Sequence, residues 1–156
     1  MRLPEGPGKD DMADVPEHDH VINTGKSKLT LDELGAVQPG MARVMPEIGV
    51  RIWKCYYAGK AHNKPLARFQ LKEAVNLMKM GVVLRPAYTD TMSAFIEEQV
   101  EKVKQAIENE DWDGFESAFH EMVDGANGYH EHYHKGFLRW KIPEYPPPDL
   151  DMTPRE

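Results

Sequence analysis

Three histidines alternate with other residues near the C-terminal end of the chain, in the segment NGYHEHYHKGF at positions 127–137. On a helix, His130 and His134 lie on one face because residues four apart are neighbours. Glu131 and His134 form the Glu-x-x-His pair that di-iron bundles use, and Glu73 lies on an otherwise apolar helical stripe. These four residues are one candidate metal site. A di-metal centre needs a second such pair, which the other predicted helices lack, so a histidine-rich helix without metal is the alternative.

Aromatic side chains are the other residues that could form a site. Trp53, Tyr129, Tyr133 and Trp140 carry amphipathic rings, which suit interfaces and aromatic pockets, and His130 lies among them in the sequence. For Trp53 and Tyr129, packing in the core is the simpler interpretation. Trp140 belongs to the basic and aromatic segment FLRWKIP, which favours an interface.

Composition excludes several classes of protein. The chain has 156 residues and a net charge of −7, so it suits one domain and offers no basic surface for nucleic acid. No apolar run is long enough to cross a membrane, and the first twenty residues contain no apolar export signal. Cys55 is the only cysteine, and its apolar stripe predicts a buried, inert thiol. These features predict a cytoplasmic protein.

The periodicity of apolar residues predicts an all-α fold. Thr30 and Glu33 have the spacing of a capping box before a short helix that Gly35 would end. Four longer helices are predicted from about Pro46 to Ala61, Asn63 to Gly81, Thr89 to Asn109, and Asp111 to Tyr133, and no strand pattern is evident. Asn63 and Asp111 are suited to cap the second and fourth of these helices, and Arg85 before Pro86 should break the chain ahead of the third. The first helix is expected to turn Met45, Ile48 and Ile52 inward, and the third Met92, Phe95 or Ile96, and Val100. The second helix is expected to bury Leu66, Phe69 or Gln70, Glu73, and Leu77 or Met78. The prediction is a four-helix bundle over residues 29–142, with a polar arm over 1–28 and an extended Pro-rich tail over 143–156.

The C-terminal half of the sequence resembles the last helix of small bundle cytochromes c. Those proteins carry Cys-Asn-x-Cys-His, a phenylalanine seven residues later, and then Ile-Pro followed by further prolines. Here His130 matches the haem-binding histidine, while Ala126 and Tyr129 stand where the two cysteines would be. The segment WKCYYAGKAHNKPLARFQLKEA is similar to the entry helices of the same proteins. The resemblance covers residues 45–148 and implies a haem-free bundle, because no thioether bond to haem can form.

The whole sequence is similar to the small subunit of the two-subunit, iron(II)-dependent hydroquinone 1,2-dioxygenases. That resemblance implies a heterotetramer in which a larger, cupin-type subunit holds Fe(II), while the small subunit binds no cofactor and is inactive alone. The implied reaction opens hydroquinone to 4-hydroxymuconic semialdehyde with both atoms of O2, in the catabolism of aromatic compounds. It also implies that Trp53, Tyr129, His130, Tyr133 and Trp140 line the partner interface or a substrate pocket. An independent metal-binding bundle using Glu73, His130, Glu131 and His134 is the alternative.

Overall fold

A computed structural model describes residues 20–155, which are mostly helical with one small two-stranded sheet. The elements are β1 (Val21–Asn23), β2 (Lys28–Thr30), α1 (Leu31–Ala36), α2 (Met41–Lys60), α3 (Lys64–Leu84), α4 (Thr89–Phe95), α5 (Glu101–Asn109) and α6 (Trp112–His132). A 3-10 turn, Pro86–Tyr88, precedes α4, and a π turn, Ile96–Val100, joins α4 to α5. The chain divides into two compact units between Gln38 and Pro39. Within the described range, no helix is both long and apolar enough to span a bilayer.

The N-terminal unit contains an antiparallel hairpin followed by α1. The hairpin pairs Val21 with Thr30, and its turn uses Gly25 at φ +82°. The predicted capping box is confirmed, because Thr30 Oγ1 accepts from the Glu33 backbone and the Glu33 carboxylate accepts from the Thr30 backbone. The expectation of no strand was wrong, because this hairpin is present. It spans residue 28, where the predicted polar arm ends. Residues 1–19 of the predicted arm lie outside the described range.

In the C-terminal unit, α2 starts five residues earlier than predicted. It begins at Met41 and contains Pro46 as an interior residue. Pro46 removes the backbone donor that would bond to Ala42, and both residues are exposed, so water can satisfy that carbonyl group. The predicted inward stripe of this helix is confirmed for Ile48 and Ile52, which are fully buried.

The buried face of α3 agrees with the predicted one at Gln70 and Met78, whereas Leu66 and Glu73 are only half-buried. The buried residues of α3 are Ala67, Gln70, Leu71, Ala74, Met78 and Gly81. Phe69 is 51% exposed, whereas the neighbouring Gln70 is buried. Arg51 of α2 donates to the Gln70 side chain at 3.2 Å, which satisfies this polar group inside the helix pair. Glu73 is half-buried rather than inside the core, and its carboxylate accepts from Asn76 on the next turn.

The predicted third helix is present from Thr89 to Asn109, but the π turn interrupts its regular period. Phe95 and Val100 are both buried although they are five residues apart, a spacing that an ordinary α-helix does not place on one face. The extra residue in the π turn restores the inward direction of the second half. Arg85 and Pro86 break the chain before this helix as predicted, because α3 ends at Leu84.

Three helices end in the same six-residue arrangement. Past the ends of α2, α5 and α6, His62, Glu110 and His134 adopt left-handed conformations with φ near +57°. After α6, the His134 amide donates to Glu131 and the Lys135 amide donates to His130, which is the Schellman pattern of bonds. His134 therefore lies beyond the helix end, and the prediction that it shares a helical face with His130 was wrong.

The last helix, α6, agrees closely with the predicted one. Asp111 caps α6 by accepting from the Gly114 amide at 3.0 Å. The buried core combines residues of α2, α3, α4, α5 and α6, with Phe115 and Phe119 as its largest fully buried side chains. The residues after Arg139 form no helix or strand and run over the surface of α2, as the proline content predicted.

Candidate functional site

A cavity of about 210 Å³ lies where α2, α4 and α6 meet, and we call it the tyrosine–methionine cavity. Its wall includes three methionines, four tyrosine and phenylalanine rings and three further polar side chains, and some of the lining residues are exposed. The lining consists of Met41, Met45, Met92, Tyr88, Phe95, Tyr129, Tyr133, Thr91, His130, Ala42, Lys135 and Leu138. Three of the five predicted site residues, Tyr129, His130 and Tyr133, are therefore together in this cavity.

A short chain of hydrogen bonds fixes the hydroxyl groups on one side of the cavity. Thr91 Oγ1 lies 3.2 Å from the Tyr88 carbonyl oxygen and 2.8 Å from the Tyr133 hydroxyl. A carbonyl oxygen can only accept, so both contacts are satisfied together when Thr91 donates to Tyr88 and Tyr133 donates to Thr91. The Tyr88 and Tyr133 rings pack edge to face at 4.9 Å. This arrangement leaves the Tyr133 oxygen with a free lone pair and no remaining proton to donate.

The His130 ring also lines the cavity. Its Nδ1 lies 2.6 Å from the carbonyl oxygen of Leu138, so Nδ1 carries a proton and donates it. In the neutral ring, Nε2 is then the acceptor nitrogen. Tyr129, one position earlier, packs edge to face against Phe95 at 6.0 Å, and both rings line the cavity.

A surface groove of about 530 Å³ lies beside the cavity, and we call it the tryptophan groove. It contains the two remaining predicted site residues, Trp53 and Trp140, whose rings meet edge to face at 5.4 Å. Phe137 also lines the groove and is 81% exposed. Four residues line both the groove and the cavity and so lie between the two: Ala42, Met45, His130 and Leu138.

A buried asparagine holds Trp140 in place. The Asn127 side chain donates to the Trp140 carbonyl oxygen at 2.9 Å and accepts from the Trp140 amide at 2.7 Å. A second asparagine, Asn63, donates to the Met152 carbonyl oxygen at 3.1 Å while its own oxygen caps α3. The segment from Trp140 to Met152 is thus fixed at both ends by amide side chains that are less than 10% exposed.

The candidate metal ligands are not brought together. Glu131 forms an ion pair with Arg139 at 3.1 Å. Glu73 lies on a different helix, α3, where its carboxylate accepts a hydrogen bond from Asn76. His130 uses Nδ1 for a backbone carbonyl, and His134 lies past the helix end. Between residues 20 and 155, no group of three or more histidine, cysteine, aspartate or glutamate side chains is close enough to hold a metal ion.

Cys55 and the cluster of Lys60, Glu116 and Tyr56 have shifted pKa values that their packing and hydrogen bonds explain. Cys55 is fully buried, and burial raises the pKa of its thiol far above the usual range, as expected for an inert cysteine. The hydrogen bond from Lys60 lowers the pKa of Glu116, and the same bond raises the pKa of Lys60. Tyr56 also donates to Glu116, at 3.2 Å, so this cluster links α2 to α6.

Several site residues had no signal in the sequence. Met45 and Met92 were assigned to inward stripes, but Met41, Tyr88 and Thr91 were not predicted to belong to a site. Thr91 and Tyr133 are 42 positions apart, and no helical period relates them. Their contact depends on how α4 meets the end of α6, which only the packed structure defines.

Comparison with known proteins adds no identification. No family model, no curated protein and no solved structure matches this chain.

Proposed function

We propose that this chain is the small helical subunit of a heteromeric, ring-cleaving hydroquinone dioxygenase. In this proposal a larger, cupin-type subunit binds Fe(II) and opens hydroquinone to 4-hydroxymuconic semialdehyde, using both atoms of O2. The present chain binds no metal and stabilises or shapes the active site of its partner. Its long helices form a four-helix bundle of the cytochrome type without haem, and the assembly is a heterotetramer of two small and two large subunits.

The observation that carries the proposal is the apolar surface around the tryptophan groove. Phe137 is 81% exposed, Leu138 is 49% exposed and Val50 is 45% exposed, and all three line this groove. A cluster of exposed apolar side chains beside two tryptophans is typical of a surface that a partner covers. Aromatic anchors of this kind contribute most of the binding energy in protein interfaces.

The charges at the same surface indicate the chemistry of the partner. Lys135, Arg139 and Lys141 surround Phe137 and Leu138 in the sequence, although the whole chain has a net charge of −7. Oppositely charged surfaces accelerate association and fix the register of an interface. We therefore expect the cupin-type subunit to present an acidic rim around an apolar centre.

Co-expression with a cupin-type large subunit of a hydroquinone dioxygenase tests the proposal. We expect the two proteins to co-purify, and ring cleavage of hydroquinone to require both of them together with Fe(II). Full activity of the large protein alone, or the absence of any complex between the two, would refute the assignment.

Two matched variants locate the interface. Phe137→Asp places a charge in the proposed contact and should weaken the complex at least about tenfold, as expected for an aromatic anchor. Val83→Asp is the control, because Val83 is 79% exposed on α3 and does not line the groove. Equal effects of the two variants on affinity, with both chains folded, would place the contact elsewhere.

A further inference from the structure

We infer that the tyrosine–methionine cavity is a binding site for a small phenol, a single aromatic ring that carries a hydroxyl donor. The inference does not rest on the proposed function, because every lining residue belongs to this chain. It assigns the chain a ligand of its own, separate from any ligand bound by a partner subunit.

The size and walls of the cavity favour one aromatic ring. An apolar protein cavity of about 150 Å³ is large enough to bind benzene, and this one measures about 210 Å³. Met41, Met45 and Met92 supply flexible thioether side chains, which make favourable contacts with the edges of aromatic rings. Phe95 and Tyr129 present further aromatic surface.

The cavity offers hydrogen-bond acceptors rather than donors at two places in its wall. The Tyr133 hydroxyl donates to Thr91, and the Thr91 hydroxyl donates to the Tyr88 carbonyl oxygen. The Tyr133 oxygen can therefore only accept a further hydrogen bond. His130 donates from Nδ1 to the Leu138 carbonyl oxygen, and in the neutral ring Nε2 is then an acceptor. A ligand hydroxyl can donate to either group, whereas a ligand that can only accept finds no donor from them.

The direction of these bonds separates phenols from other small aromatic ligands. In the inferred complex the phenol buries its ring against the methionines and donates its proton to the Tyr133 oxygen. An aryl ether of similar shape, such as anisole, buries the same ring but has no proton to donate. The positive charge of Lys135 lies at the exposed mouth of the cavity.

Binding of phenol and anisole to the purified chain tests the inference directly. The chain is labelled with ¹³C in its methionine methyl groups, and both ligands are titrated into it. We expect phenol to shift the resonances of Met41, Met45 and Met92 by the ring-current effect, and those of Met80 and Met152, which do not line the cavity, to stay in place. We expect phenol to bind about fivefold more tightly than anisole, the effect of one net hydrogen bond.

Two tyrosine variants provide the matched comparison. Tyr133→Phe removes the acceptor and keeps the ring, so it should weaken phenol about fivefold and leave anisole within twofold. Tyr145→Phe removes the same hydroxyl from a residue that is 72% exposed and outside the cavity, and should change neither affinity. Three results would overturn the inference: no methionine shift with millimolar phenol, equal affinity for phenol and anisole in the unmodified chain, or an unchanged preference for phenol in Tyr133→Phe.

Discussion

The substitution Gly59→Ala tests the packing of α2 against α6. Gly59 lies near the end of α2, and a methyl group added there would stand 2.3 Å from Cε1 and Cζ of Phe115. The Phe115 ring is fully buried, and the rings of Tyr56, Trp112 and Phe119 pack around it. The ring cannot move aside without displacing these neighbours, so the new methyl group should strain the core.

Two opposing effects determine the size of the change. Overpacking of a buried site costs about 1–3 kcal/mol. Replacing glycine by alanine inside a helix gains at most about 0.5–1 kcal/mol, and less close to the helix end. The first effect is larger, and we expect Gly59→Ala to lower the free energy of unfolding by about 1–2 kcal/mol. For a chain of this size, that corresponds to a fall in Tm of about 2–8 °C.

Gly128→Ala is the matched control for this experiment. Gly128 is an exposed residue of α6, and a methyl group added there would meet nothing within 4 Å. Only the helix-propensity effect remains, so this variant should gain about 0.5–1 kcal/mol. Urea titrations and thermal scans followed by circular dichroism measure both variants. A Gly59→Ala protein as stable as the unmodified chain would refute the close contact between Gly59 and Phe115.

Three further predictions concern buried or paired side chains. Asn127→Ala leaves the amide and carbonyl of Trp140 without partners and should cost about 2–4 kcal/mol, with a red shift in tryptophan fluorescence. Cys55 should not react with a thiol reagent at pH 8 until urea unfolds the chain, because its thiol is buried and its pKa is raised. Lys60 lowers the pKa of Glu116 below its ordinary value of 4.5, so the stabilisation by this pair is present above that value and is lost as the pH falls through the lowered pKa. Urea titrations between pH 6 and pH 3 should show a shallower loss for Glu116→Gln.

Each of these predictions has its own control or contradicting result. Asn76→Ala changes an exposed asparagine and should alter the unfolding free energy by less than about 0.5 kcal/mol. Rapid, stoichiometric labelling of Cys55 in the folded chain would contradict its burial. A pH profile that is identical in Glu116→Gln would show that the contact with Lys60 contributes nothing in acid.

The sequence predicts helix caps well because the chemistry of a cap is local. Thr30 with Glu33, Asn63 and Asp111 were each expected to cap a helix, and each accepts a hydrogen bond from a backbone amide of the first turn. Such bonds connect residues two or three positions apart, so the residue types and their spacing are sufficient to identify them.

Burial on α3 was less predictable because it depends on the neighbouring helix. Phe69 and Gln70 are adjacent, and hydrophobicity favours Phe69 as the buried residue. The structure buries Gln70, because Arg51 of α2 donates to its side-chain oxygen. A pairing between residues 19 positions apart on two helices leaves no periodic signal in either one.

The end of α6 was mispredicted for a similar reason. A left-handed residue after a helix is usually glycine, and His134 gives no such signal. It nevertheless adopts φ +58°, which turns the chain away two residues after α6 ends. That turn removes His134 from the face of His130 and directs the following residues back toward Asn127. The candidate metal pair is therefore lost through one backbone conformation.

The contacts that hold the segment after α6 also affect when the surface of α2 can be covered during synthesis. The Asn63 side chain donates to the carbonyl oxygen of Met152, a residue that the ribosome adds 89 positions later. The Tyr57 hydroxyl donates to the carbonyl oxygen of Pro143, which is added 86 positions later. Helices α2 and α3 can pair early, but the surface of α2 that receives this segment stays uncovered until translation has passed Met152. A nascent chain halted before Trp140 would leave Trp53 without its ring partner and Tyr57 without its hydrogen-bond acceptor, Pro143.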